Sequence, residues 1–107
     1  SDYASPEFLG VIETALRLKD KAKEKWQAGN PKLAYAVAPL FWQGRHYEAK
    51  ADAMPGTGAS KKDMYVKAKD CYDKFVAERK TLNLALNASE TDDVQAHING
   101  CVIKGGL

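Results

Sequence analysis

Cys71, Cys101, His46 and His97 are the cysteines and histidines of this 107-residue chain, the side chains that most readily do redox, nucleophilic or metal chemistry near neutral pH. Cys71 and Cys101 lie thirty positions apart with the acidic stretch Ser89-Glu90-Thr91-Asp92-Asp93 between them. Each falls near the apolar face of a predicted helix. A disulfide there would tie the last helix to the one before it and contribute roughly 3 to 4 kcal/mol by closing the loop. It would also place the protein in an oxidising compartment. The alternative is two buried free thiols packed as small hydrophobes. Geometry constrains the bridge. With the turn centred near Ser89, the two cysteines are out of step by about 9 Å along straight helices. Disulfide Cα atoms lie roughly 4.4 to 6.8 Å apart, so the hairpin would have to be asymmetric. The expectation is a Cys71–Cys101 disulfide.

The histidines offer less. His46 and Glu48 are two apart, so on a helix their side chains diverge by about 200° and cannot share a metal. No His-x-x-x-His pair occurs. His97 lies one turn from Cys101, as a thiolate–imidazole pair would require, but no third group orients it and a disulfide would remove the nucleophile. Gly56-Thr57-Gly58 lacks the Gly-Lys-Ser/Thr ending of a phosphate loop, and no serine sits in Gly-x-Ser-x-Gly. Glu48 and Asp52, one turn apart beside Lys50, read as a solvated face. The sequence predicts no catalytic residue, metal site or cofactor. Asn87-Ala88-Ser89 matches the N-glycosylation pattern and matters only in a eukaryotic secretory protein.

Sixteen basic and fourteen acidic residues are interleaved, for a net charge of +2. This is not the footprint of a nucleic-acid binder. The basic positions of the third helix, among them Lys61, Lys62, Lys67, Lys69 and Lys74, are broken by Asp63, Asp70 and Asp73. No apolar run approaches the roughly 18 residues a membrane span needs. The chain opens Ser1-Asp2-Tyr3-Ala4 without an initiator Met. Together with the expected disulfide, that start favours a mature exported protein, periplasmic or secreted.

The elements that must position these residues read as helices within a single domain, 1–107. Ser5-Pro6-Glu7 has the cap, first-turn proline and acid of a helix start. Phe8, Ile12, Ala15, Ala22 and Trp26 follow at helical spacing. Gly29-Asn30-Pro31 ends this helix and begins the next. Helix two is apolar around most of its circumference from Leu33 to Trp42, as a central helix is. Pro39 inside it predicts a kink. Pro55–Ala59 is a loop. Ser60-Lys61-Lys62-Asp63 opens helix three, with Tyr65, Ala68, Tyr72 and Phe75 on its buried face. Leu84–Leu86 finish that helix, and a fourth runs from about Thr91 to Gly105. The expected fold is all-α, an antiparallel bundle of about four helices with a kinked central helix two.

Two stretches resemble tetratricopeptide-type helical hairpins. Gly29-Asn30-Pro31-Lys32-Leu33-Ala34, with Ala38 and Phe41, is similar to that family's turn glycine and small-then-aromatic positions. Tyr65, Ala68 and Tyr72 are similar to its Tyr-x-x-Ala-x-x-x-Tyr segment. A turn glycine before the second stretch and a kept 34-residue period are both missing. The resemblance implies a helical scaffold that binds proteins or peptides.

Aromatic residues carry the functional expectation. Phe41 and Trp42 are adjacent and cannot both face one narrow side of a helix. Phe41 is expected inside and Trp42 available. Tyr35, Trp42, Arg45 and Tyr47 are the expected contact residues for a protein partner or a second copy of the chain, because Trp, Tyr and Arg dominate interface anchors. The alternative is a carrier with an apolar pocket between helices near Pro39.

Overall fold

The computed structural model describes residues 2–23 and 32–107, with side chains for 2–18 and 37–107. A 3-10 turn η1 (Asp2–Ala4) precedes four helices, α1 (Pro6–Lys23), α2 (Lys32–Ala53), α3 (Ala59–Thr81) and α4 (Ala88–Gly105). The all-α expectation holds. Packing follows chain order, with α1 on α2, α2 on α3 and α3 on α4, while η1 rests on α1 and α2. The turn expected at Gly29–Pro31 and the side chain of Trp26 lie outside the described residues.

Local chemistry explains the helix ends. Ser5 Oγ accepts the Phe8 N–H at 3.1 Å, as an N-cap should. α2 runs through Pro39 as one helix, although that position supplies no backbone donor. Gly58, with no capping side chain, precedes α3, so the helix starts at Ala59 and not from a Ser60 cap. Lys61 Nζ donates to the Met54 carbonyl at 2.8 Å and closes the α2–α3 connection. α3 stops at Thr81, short of the expected Leu86. Asn83 takes a left-handed φ of 57° there, and Arg79 Nε donates to the Leu84 carbonyl. α4 begins three residues earlier than expected because Asn87 and Glu90 form a capping box. Asn87 Oδ1 accepts the Glu90 N–H at 2.8 Å, and Glu90 Oε1 accepts the Asn87 N–H at 3.2 Å.

The core is built from α2, α3 and α4. Val37, Leu40, Ala51, Tyr65, Ala68, Tyr72, Phe75, Val94 and Cys101 are buried together, with Phe41, Tyr47, Met64 and Ile98 against them. Two glycines let backbones close in. A Cβ on Gly44 would come within 2.5 Å of the Tyr72 ring, and one on Gly105 within 2.9 Å of Tyr65 Cβ.

Those contacts set a register that overturns the expected disulfide: Cys71 and Cys101 are free, buried thiols. With Gly105 against Tyr65 and His97 stacked on Tyr72, Cys101 falls beside Ala68, about 4 Å along the axis from the level of Cys71. Cys71 turns to α2, where its S–H donates to Gln43 Oε1 at 3.3 Å. Burial pushes the thiols up to about 11 at Cys71 and about 12 at Cys101, so both are protonated and unreactive near neutral pH. The cysteines therefore give no argument for an oxidising compartment.

Candidate functional site

The expected contact residues separate into two faces of α2. Trp42 and Arg45 share one of them. Trp42 is 41% exposed, with its indole against Tyr3 at 5.8 Å, Phe41 at 5.3 Å and Phe8 at 6.5 Å between ring centres. Phe41 is the more buried neighbour and reaches the Tyr72, Phe75 and His97 rings. The Arg45 guanidinium lies over the Tyr3 ring at 5.2 Å. Tyr47 points elsewhere, toward Lys67 of α3, whose ammonium is 5.7 Å from its ring. Burial is the largest influence raising the Tyr47 phenol above its ordinary value. The side chain of Tyr35 lies outside the described residues.

A set of polar residues between α2, α3 and α4 is the more ordered arrangement. Glu48 reads from sequence as solvated but is only 12% exposed. Its Oε1 accepts the Tyr72 hydroxyl at 2.7 Å and His97 Nδ1–H at 2.9 Å, and its Oε2 accepts Lys104 Nζ at 3.0 Å. Lys104 also donates to Asp52 Oδ1 at 2.9 Å, and the same oxygen takes the Tyr65 hydroxyl at 2.6 Å. The chain of bonds ends at Arg45, whose Nη1 lies 2.8 Å from His97 Nε2. A guanidinium can only donate. His97 Nε2 therefore carries a lone pair, its proton sits on Nδ1, and the imidazole is neutral.

Burial tends to raise the Glu48 and Asp52 carboxyls. The tyrosine hydroxyls and Lys104 outweigh it and hold both below the ordinary carboxylate range. Burial tends to lower Lys104, but its bonds to Asp52 and Glu48 push it up to about 12. Burial and the Asp52 carboxylate push the Tyr65 phenol up to about 12, and burial with Glu48 raises Tyr72 further. Each proton stays where the bonding pattern requires it, with both acids charged, the lysine charged and the phenols neutral.

His46 is buried as well, at 1% exposure. Its Nδ1 lies 2.7 Å from the Tyr3 carbonyl, which can only accept, so that nitrogen is protonated. Its Nε2 has no partner among the described residues. Tyr3 is thus held at its carbonyl by His46, at its ring by Arg45, and against Trp42.

Three clefts open near these groups. One of about 380 Å³ is lined by Tyr3, Arg45, Glu48, Asp52 and His97. One of about 840 Å³ lies at the far end of α2, between the Gly56–Gly58 loop and Lys104. One of about 330 Å³ lies beside Met54 and Met64. Among the described residues, no group of three His, Cys, Asp or Glu side chains is placed to hold a metal. No described helix is long and apolar enough to cross a membrane.

The polar network left a trace in the sequence. Tyr65 and Tyr72 are seven apart on α3, His97 and Lys104 seven apart on α4, and Arg45, Glu48 and Asp52 at i, i+3, i+7 on α2. Seven residues return a helix to nearly the same face, so three helices each offer a polar stripe of matching pitch. No family model, curated protein or solved structure matches this chain.

Proposed function

We propose that this chain is a non-enzymatic helical binding protein that docks a protein partner, or a second copy of itself, through Trp42 and Arg45 on α2. The observation that carries this reading is Trp42. A tryptophan 41% exposed among Tyr3, Phe8 and Phe41 leaves an indole edge in water, ready-made as an interface anchor. Helices packed each on the next in sequence, with the Tyr65, Ala68 and Tyr72 positions buried, support the likeness to tetratricopeptide-type scaffolds.

Trp42→Ala and Phe41→Ala separate docking from folding. Phe41→Ala should destabilise the fold by about 3 kcal/mol, as loss of a core aromatic does. Trp42→Ala should cost about 1 kcal/mol of stability yet weaken association by about 2 kcal/mol or more. Thermal melts read the first quantity. Sedimentation over a concentration series, and capture of a cross-linked partner, read the second. Association unchanged by Trp42→Ala, or a Trp42→Ala protein that does not fold, would remove the proposal.

A further inference from the structure

We propose that the Tyr3 segment is an acid-released clasp over Trp42, with His97 as its sensor and Arg45 as its latch. Its biological role rests on the docking reading above, but its mechanism does not.

Tyr3 packs against the Trp42 indole and the Phe8 ring, its carbonyl accepts from the His46 imidazole, and the Arg45 guanidinium lies over its ring. Arg45 keeps its place over the Tyr3 ring because one of its amines is parked on His97 Nε2. That parking place exists only while Nε2 carries a lone pair. A proton taken from solvent turns Nε2 into a donor, and two cationic donors then face each other across 2.8 Å.

The groups around His97 decide which side yields. From α2 it faces Arg45 and Glu48, and from α3 the Tyr72 phenol stacks on it with ring centres 5.4 Å apart. Along α4, Asp93 and Cys101 lie one turn away, and Lys104 shares Glu48. Glu48 welcomes the imidazolium, since its bond from Nδ1–H becomes an ion pair. His97 therefore stays in place, held by Glu48 and Tyr72, while Arg45 must leave. η1 then loses the cation over its ring. The fold need not open, because the tyrosine and lysine bonds to Glu48 and Asp52 do not pass through Arg45.

The sign follows directly. The clasp is closed while His97 Nε2 carries a lone pair and opens when that nitrogen takes a proton. Acid exposes more of a docking residue that is already 41% exposed.

The test uses the full chain with Trp26→Phe, which leaves Trp42 as the only indole. Acrylamide quenching of its fluorescence is followed from about pH 8 to about pH 5, the range in which histidines change charge. Circular dichroism confirms the helices at each pH. The quenching constant should rise about twofold toward the acid end. His97→Gln should give a flat, low profile, because a glutamine amide can accept from Arg45 and donate to Glu48 without titrating. Arg45→Met and Tyr3→Ala should each give a flat, high profile, and either suffices if the other misfolds. A flat wild-type profile with the helices intact overturns the proposal. So does a transition that survives His97→Gln, or an imidazole nitrogen spectrum placing the His97 proton on Nε2 at pH 8. If the clasp opens as stated and association still ignores Trp42, the docking reading fails and the clasp stands.

Discussion

The α2–α3–α4 layer and the η1–α1 flank are held by different kinds of contact. Between α2, α3 and α4, two glycines admit aromatic rings at close range, and seven polar residues are bonded in one pattern. Such bonds have one register, since a slip of one residue would strand several buried donors. The flank offers much less. Ile12 is the buried residue of its described part, at 4% exposure, while Val11 and Leu18 are 69% and 55% exposed. Generic apolar contact tolerates displacement, and directional bonding does not. The layer is therefore fixed by a network of directional bonds, whereas the described part of the flank is held mainly at Tyr3, by His46, Arg45 and the Phe8 and Trp42 rings.

The comparison breaks most readily at Glu48. Glu48→Ala leaves the Tyr72 hydroxyl, His97 Nδ1 and Lys104 without their shared acceptor and should cost about 3 kcal/mol in urea unfolding. Its pH dependence sharpens the point. The folded carboxyls of Glu48 and Asp52 lie below their ordinary values, so the unfolded chain binds protons first as pH falls. Their stabilisation is full above the ordinary carboxylate range and is lost as pH drops through the lower folded values. Glu48→Ala should flatten this acid limb. Urea midpoints measured from about pH 6 downward check it, and a limb as steep as the wild type would refute the assignment.

A matched pair of glycine substitutions contrasts the two regions. Gly44→Ala drives a methyl toward the Tyr72 ring and should destabilise by about 2 kcal/mol. Gly10 in α1 has open space around its Cβ position. Gly10→Ala should therefore raise stability by about 0.5 to 1 kcal/mol, the usual helix-interior gain. Melting curves on the two variants decide it. Equal effects of the same sign would mean that the regions do not differ in packing as described.

The helices and the buried aromatic face were legible because they follow period and caps. Ser5-Pro6-Glu7 announces α1, and Tyr65, Ala68, Tyr72 and Phe75 fall on the buried side of α3. The boundary errors come from backbone chemistry that composition hides. Leu84–Leu86 look helical, but a left-handed Asn83 ends α3 before them. Asn87 and Glu90 form a cap readable in the sequence, ahead of the start expected near Thr91. The disulfide failed on register, which no single helix contains. Glu48 and Asp52 looked solvated because charge usually is, and the residues that bury them sit on α3 and α4. The exposure of Trp42 was legible from its adjacency to Phe41. Its contact with Tyr3 was not, since the two lie 39 positions apart in the chain.

The two buried thiols have a kinetic meaning. A sulfur that is protonated and shielded in the closed structure meets an alkylating reagent only when its surroundings part. Cys71 lies on the α2–α3 contact, against Gln43, and Cys101 beside α3 and the charged residues of α2. Their modification rates therefore time two separate seams of the same layer. The chain carries a pair of built-in clocks for its own breathing, one at each seam, that need no added label.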